Sequence, residues 1–207
     1  MTWAELLAGL PLVAILRGVA PAEAPGIAET LFAAGLRAVE VTLNSKEPLE
    51  SIAAIRARMG GRMLVGAGTV LAPREVTDAA AAGAQFIVSP DAKPAVILAT
   101  KAASLVSLPG VFTPSEAFAA LDAGADALKL FPAEAASPAV LKAVLAVLPA
   151  GTAVLPVGGI EAASMAPWRA AGAAGFGIGG ALYRPGMTPD VVRSRAEAFV
   201  AAWRAPA

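Results

Sequence analysis

Short apolar runs alternate with longer, alanine-rich stretches of helical spacing along the whole chain. Runs of strand length fall at Leu12–Leu16, Ala38–Leu43, Met63–Val70, Phe86–Ser89, Leu105–Leu108, Ala127–Phe131, Ala153–Val157 and Phe176–Ile178. Between them the spacing predicts helices over Ala22–Ala34, Leu49–Met59, Pro94–Ala103, Pro138–Leu148, Glu161–Ala171 and Pro189–Arg204. Two more helices begin at Pro73 and at Thr113-Pro114-Ser115-Glu116, where Thr113 is the expected cap and Glu116 completes a capping box. A short helix precedes the first strand. Gly35 and the pair Gly60-Gly61 stop the helices they follow.

Four stretches look alike: Phe32–Val39, Ala80–Ile87, Leu121–Leu128 and Arg169–Phe176. Each ends a helix on a glycine (Gly35, Gly83, Gly124, Gly172) and enters a strand three residues later. These glycines precede the second, fourth, sixth and eighth strands, so the repeating unit is two β/α pairs. Strands that alternate with full helices argue for a parallel sheet rather than a solenoid or propeller. Eight such units predict a (β/α)8 TIM barrel, at the small end of the usual size, with residues 1–207 as one domain. An open doubly wound sheet is the alternative.

Composition narrows the chemistry. The 207 residues are 57% hydrophobic and 15% charged, enough for one sizeable core. Net charge is zero, which leaves no electrostatic footprint for nucleic acid or an anionic membrane. With no cysteine and no histidine, thiolate chemistry, a Ser-His-Asp triad and the usual zinc ligands are excluded. Residues 143–160 carry no charge, but Pro149, Gly151, Pro156, Gly158 and Gly159 would break a spanning helix. Met1–Leu10 carries Glu5 and lacks the basic start of a secretory signal. A soluble, cytoplasmic protein is expected.

Three charges interrupt apolar strand runs: Arg17, Glu40 and Lys129. The other charged residues fall in helices, turns or termini, where water solvates them. An ammonium among leucine, phenylalanine and proline is costly unless it is paired, lost or used. A lysine that snorkels out of its strand, or a buried ion cluster without chemistry, is the bland reading. In a barrel, however, alternate strand residues point inward and active sites lie at the C-terminal strand ends, so the three could share one cavity. A neutral lysine can attack a ketone to form a Schiff base, a carboxylate can shuttle the protons, and an arginine can hold a substrate carboxylate. Thr69 ends the third strand and could add a hydroxyl. Two glycine pairs, Gly158-Gly159 and Gly179-Gly180, follow the seventh and eighth strands, where barrels often bind phosphate with bare backbone.

These pieces resemble the family of 2-keto-3-deoxy-6-phosphogluconate and 6-phosphogalactonate aldolases. The matching residues are Ala14–Gly18, Val39–Asn44, Val65–Val70, Ser89-Pro90, Pro109-Gly110, Leu128–Pro132 and Val157–Ile160. The resemblance runs over nearly the whole chain. It implies that Lys129 is the Schiff-base lysine, and that Glu40 gives and takes protons through water. Arg17 and Thr69 would bind the pyruvate end, and Gly158, Gly159, Gly179 and Gly180 the phosphate end. It implies a homotrimer, no metal and no cofactor. Val157 stands where gluconate-selective members tend to have threonine, and Gly179–Tyr183 also looks closer to the galactonate branch. Gly180 replaces that branch's usual serine and removes one expected phosphate contact. The expected reaction is cleavage of 2-dehydro-3-deoxy-6-phosphogalactonate to pyruvate and D-glyceraldehyde 3-phosphate. The alternatives are the gluconate epimer or 4-hydroxy-2-oxoglutarate as substrate and, further off, an isomerase-type or non-catalytic phosphate-binding barrel.

Overall fold

The structure, a computed structural model, describes residues 1–206. The helices are α1 (Trp3–Ala8), α2 (Ala24–Ala33), α3 (Pro48–Met59), α4 (Pro73–Ala81), α5 (Pro94–Ala102), α6 (Pro114–Asp122), α7 (Pro138–Leu145), α8 (Met165–Ala170) and α9 (Pro189–Arg204). Six of them start on a proline, whose fixed φ suits a first turn and whose missing N–H is not needed there. The expected Thr113–Glu116 capping box is present. The predicted helix Glu161–Ala171 opens instead as a 3-10 turn, Ala162–Ser164, before α8. Pro167 cannot donate the hydrogen bond that would have joined that turn to an α-helix.

The strands are β1 (Leu12–Leu16), β2 (Ala38–Thr42), β3 (Leu64–Gly68), β4 (Phe86–Val88), β5 (Val106–Leu108), β6 (Gly110–Val111), β7 (Leu128–Leu130), β8 (Val154–Pro156) and β9 (Phe176–Ile178). Nine strands appear where eight were expected, because Pro109 interrupts the fifth. Pro109 has no N–H to give the ladder, although its carbonyl still accepts from Lys129 N at 2.9 Å. Upstream of it β5 pairs with β4, and downstream β6 pairs with β7. All pairings are parallel, in a six-stranded sheet ordered β5-β4-β3-β2-β1-β9 and a three-stranded sheet β6-β7-β8. Among the described residues a single isolated parallel bridge, Val157 to Gly177, joins the two sheets.

The order β1 to β5 never reverses, unlike a doubly wound sheet. Right-handed crossovers then put the connecting helices on one face. The burial pattern shows the result. Leu12, Ala14, Leu16, Val39, Val41, Val65, Ala67, Ile87, Leu128 and Leu130 pack with the helices. The alternate residues Val13, Ala38, Leu64, Phe86, Val88, Leu108, Ala127 and Leu155 form a second cluster on the other face. Leu6 of α1 joins that cluster and Trp3 packs against it.

The four repeated glycines all have left-handed φ, from 95 to 111 degrees. Each closes its helix by the same pair of bonds: Gly35 N to Phe32 O with Leu36 N to Leu31 O, and likewise at Gly83, Gly124 and Gly172. Helix α5 ends the same way at Ser104, which adopts φ 57 without glycine's freedom.

Candidate active site

Strand parity carries the three unusual charges to one place. Val13, Ile15 and Arg17 are alternate residues of β1 and its exit. Glu40 follows Ala38 in β2, and Lys129 follows Ala127 at β7. All therefore continue the inward-facing cluster rather than the helix-facing one. Register sets the height: Glu40 lies opposite Ile15 and Gly66, and Lys129 opposite Gly110 and Leu155. Arg17, Glu40 and Lys129 line a cavity of about 600 Å³ together with Phe131, Val157, Tyr183 and all four glycines of the two pairs. Beneath it a smaller space touches Val13, Val88, Leu108 and Leu155, so the floor is apolar.

Thr69 does not line the cavity. It lies one residue beyond β3, half-buried, with a left-handed φ of 59 degrees. Arg17 is exposed, and its Nη1 donates to Asn44 Oδ1 at 2.8 Å. Gly18 N donates to Ser45 Oγ at 2.8 Å, so the loop after β2 holds the loop after β1.

Lys129 is 7% exposed and Glu40 3%. Neither takes part in an ion pair or a side-chain hydrogen bond among the described residues. Burial lowers the Lys129 amine from its ordinary value; Glu40 pulls it back up and Arg17 pushes it further down. Burial raises the Glu40 carboxyl, against the pull of Lys129 and then Arg17. The Lys129 Nζ lies 4.4 Å from the centre of the Phe131 ring, a contact that favours the ammonium and offsets part of the burial cost. The arrangement holds an amine poised to lose its proton beside an acid poised to gain one.

Small residues make the room. A side chain on Gly68 would run into the Glu40 carboxylate, and one on Gly66 into the Phe86 ring. A Cβ on Gly177 would come 2.7 Å from Val157. The two glycine pairs differ. Gly158 and Gly159 have φ of 105 and 64 degrees and pack against Glu134, which a side chain on Gly158 would strike. Gly179 and Gly180 have no left-handed φ. A Cβ on Gly179 would meet nothing within 4 Å, and one on Gly180 would meet only Arg184, at 3.4 Å.

Sequence reasoning missed Asn44, Glu134, Tyr183 and Arg184. Arg184 lines the cavity and donates from Nε to Gly180 O at 3.0 Å. Tyr183 is buried in the helix-facing core, and its hydroxyl, closed off from the cavity, has no hydrogen-bond partner. They stand three and four residues after the second glycine pair, which was the available signal. No group of three His, Cys, Asp or Glu side chains comes together among the described residues. No helix there is long and apolar enough to cross a membrane.

Known proteins resemble the chain over most of its length. The family model "Aldolase: KDPG and KHG aldolase" matches residues 4–195. A probable 2-dehydro-3-deoxy-6-phosphogalactonate aldolase of Rhizobium meliloti (strain 1021) is 44% identical over 94% of this chain and 92% of its own. The 2-dehydro-3-deoxy-6-phosphogalactonate aldolase of Escherichia coli (strain K12) is 45% identical over 94% of this chain and 95% of its own. A solved structure described as native KDPGal superposes with a TM-score of 0.93 at 45% identity, covering 94% of this chain and 95% of that one. A more distant KDPG aldolase from Legionella pneumophila holds pyruvate as a covalent carbinolamine; it is 26% identical, with a TM-score of 0.76 over 95% of this chain and 94% of that one. The chain therefore belongs to the KDPG and KHG aldolase family, whose members are carbon–carbon lyases.

Proposed function

We propose that this enzyme cleaves 2-dehydro-3-deoxy-6-phosphogalactonate to pyruvate and D-glyceraldehyde 3-phosphate, with Lys129 as the covalent catalyst. One observation carries the reading: Lys129 is buried without an ion-pair partner in the wall of a cavity that also takes in Glu40 and Arg17. The galactonate epimer is favoured by the identity to the two galactonate aldolases and by Val157, which has no hydroxyl to read C4 as a threonine would.

The neutral Lys129 amine attacks the C2 ketone, and loss of water from the carbinolamine gives a protonated imine. Glu40, acting through water, takes the proton of the C4 hydroxyl. The C3–C4 bond breaks, its electron pair moves toward the iminium nitrogen, and C4 leaves as the aldehyde of glyceraldehyde 3-phosphate. The enamine takes a proton at C3, and water hydrolyses the new imine to pyruvate and free amine. Arg17, steadied by Asn44, binds the carboxylate next to C2. The backbone of Gly158, Gly159, Gly179 and Gly180 receives the phosphate, with Arg184 beside it supplying the charge that the missing serine could not. The proposal extends to Thr69 at the pyruvate end only through its place next to Gly68, which packs on Glu40.

The same reading takes the two sheets as one closed (β/α)8 barrel forming a single domain. It is supported by the continuity of β5 and β6 across Pro109, by the Val157–Gly177 bridge, and by the inward cluster that the strands surround. It takes the enzyme as a cytoplasmic homotrimer. Leu71, Leu98, Phe112 and Phe118 stand exposed on or beside the neighbouring helices α4, α5 and α6, and an interface there would cover them.

Borohydride reduction in the presence of pyruvate tests the chemistry. A 1-carboxyethyl adduct on Lys129 by mass spectrometry is expected, and a chain that binds sugar phosphates but traps nothing would be an isomerase-like or non-catalytic barrel instead. Pyruvate release from the two epimers, measured side by side, tests the substrate.

A further inference from the structure

The turn on the second glycine pair is braced from behind. Gly179 O accepts from Leu182 N and Tyr183 N, at 2.8 and 3.0 Å. Gly180 O accepts from Arg184 Nε at 3.0 Å and from Arg195 Nη1 at 3.5 Å, and Ala181 O accepts from Arg195 Nη1 at 3.1 Å. Three consecutive carbonyls are thus tied down within the protein, two of them by guanidinium groups. The N–H groups of Gly180 and Ala181 have no acceptor among the described residues.

The carbonyl and the N–H of one trans peptide point in opposite directions. Arginines that hold Gly180 O therefore also aim the Ala181 N–H away from themselves. Gly179, Gly180 and Ala181 line the main cavity. Arg195 lies instead on a hollow of about 290 Å³ behind the turn, which shares Glu161, Ala181 and Arg184 with the cavity. The pull on the carbonyls from that side leaves the free N–H groups for the cavity side.

Arg195 acts from a fixed platform. Helix α9 is capped by Thr188 and held in the core by Val192, Ala196, Phe199 and Val200. Neither Arg184 nor Arg195 is in an ion pair among the described residues, although Glu161 lines the same hollow. Two positive charges without a counter-ion thus back a turn whose free N–H groups suit an anion. Gly180 itself has no hydroxyl to offer.

On the aldolase reading above, we propose that Arg195 is a positioning residue of the phosphate seat. Through the Gly180 and Ala181 carbonyls it sets the turn so that the N–H groups meet the substrate phosphate, and its charge adds to their pull. It does not touch the phosphate.

The test is Arg195→Ala. With the phosphorylated sugar acid kcat/KM should fall about tenfold, mainly through KM, and the loss should be several times smaller with the dephosphorylated sugar acid. Arg195→Lys keeps the charge and a donor, and should recover part of the loss. Equal losses with and without the phosphate, no loss at all, or a lysine variant as poor as the alanine one would overturn the proposal. A second measurement needs no variant: titrating the 15N-labelled protein with inorganic phosphate should move the Gly180 and Ala181 amide protons downfield. Unmoved amides would also overturn it. Absence of the pyruvate adduct in the unmutated enzyme would instead overturn the aldolase reading, and the phosphate titration would still judge the seat.

Discussion

The inward face of the sheet has two ends built from the same strand positions for opposite purposes. At the N-terminal end stand Val13, Leu64, Phe86, Leu108, Ala127 and Leu155, closed over by Trp3 and Leu6 of α1. Toward the C-terminal ends of the strands on the same face stand Arg17, Glu40, Gly66, Gly68, Lys129 and Gly177. The first set gains from leaving water, at about 25 cal/mol per Å² of apolar surface. The second gives up that gain: Gly66 and Gly68 withhold side chains so that Phe86 and Glu40 have room, and two ionisable groups stay buried without direct partners. The difference teaches that one end stabilises the fold and the other gives up stability to keep a polar cavity open.

The largest way to break the comparison is to make the upper end resemble the lower. Lys129→Met should abolish turnover, by at least about a thousandfold, while raising stability by roughly 1–3 kcal/mol. The sign follows from the lowered amine. The charged form costs stability at neutral pH, and that cost fades as pH rises toward the ordinary 10.5. The gain in Tm should therefore shrink in alkali, and a loss of Tm at neutral pH would show the lysine to be a structural partner instead. Glu40→Gln should cost about 10²–10⁴ in kcat. It also removes the one charge that raises Lys129, so trapping of pyruvate by borohydride should extend to lower pH; a shift to higher pH would contradict the electrostatic picture.

The glycine pairs sharpen the comparison within the upper end itself. Gly158→Ala forces a left-handed φ and meets Glu134, so a loss of roughly 1–3 kcal/mol in urea melts is expected. Gly179→Ala meets nothing in the protein, so stability should change by less than about 0.5 kcal/mol. Yet its methyl would enter the cavity, and KM for the phosphorylated substrate should rise about tenfold with pyruvate trapping intact. If both variants behave alike, the second pair is a turn and not a ligand seat. The smallest effect is expected far from the site. Ser104→Gly should relieve the left-handed serine, raise stability by about 1 kcal/mol and leave kinetics untouched.

Much of the candidate site was legible before any coordinates. A charge in an apolar strand is improbable unless used, so Arg17, Glu40 and Lys129 stood out, and the glycine pairs announced bare backbone. Glycine alone did not reveal why it was there: Gly158 and Gly179 look alike in sequence, but only one has a left-handed backbone packed on Glu134. Tyr183 and Arg184 were passed over because a tyrosine and an arginine after a turn are ordinary surface residues in one dimension.

By itself, the order of residues determined the alternation of strands and helices, the four glycine-ended turns and the parity that sends three charges inward. Those are local properties, governed by backbone conformation and the two-residue period of a strand. Tertiary structure alone decided that Pro109 divides a strand between two sheets, that Thr69 stands outside the cavity wall, and that Glu134 packs under the first glycine pair. Those outcomes depend on which chain segments, far apart in sequence, come within a few ångströms, and burial and register settle that only once the whole sheet has assembled.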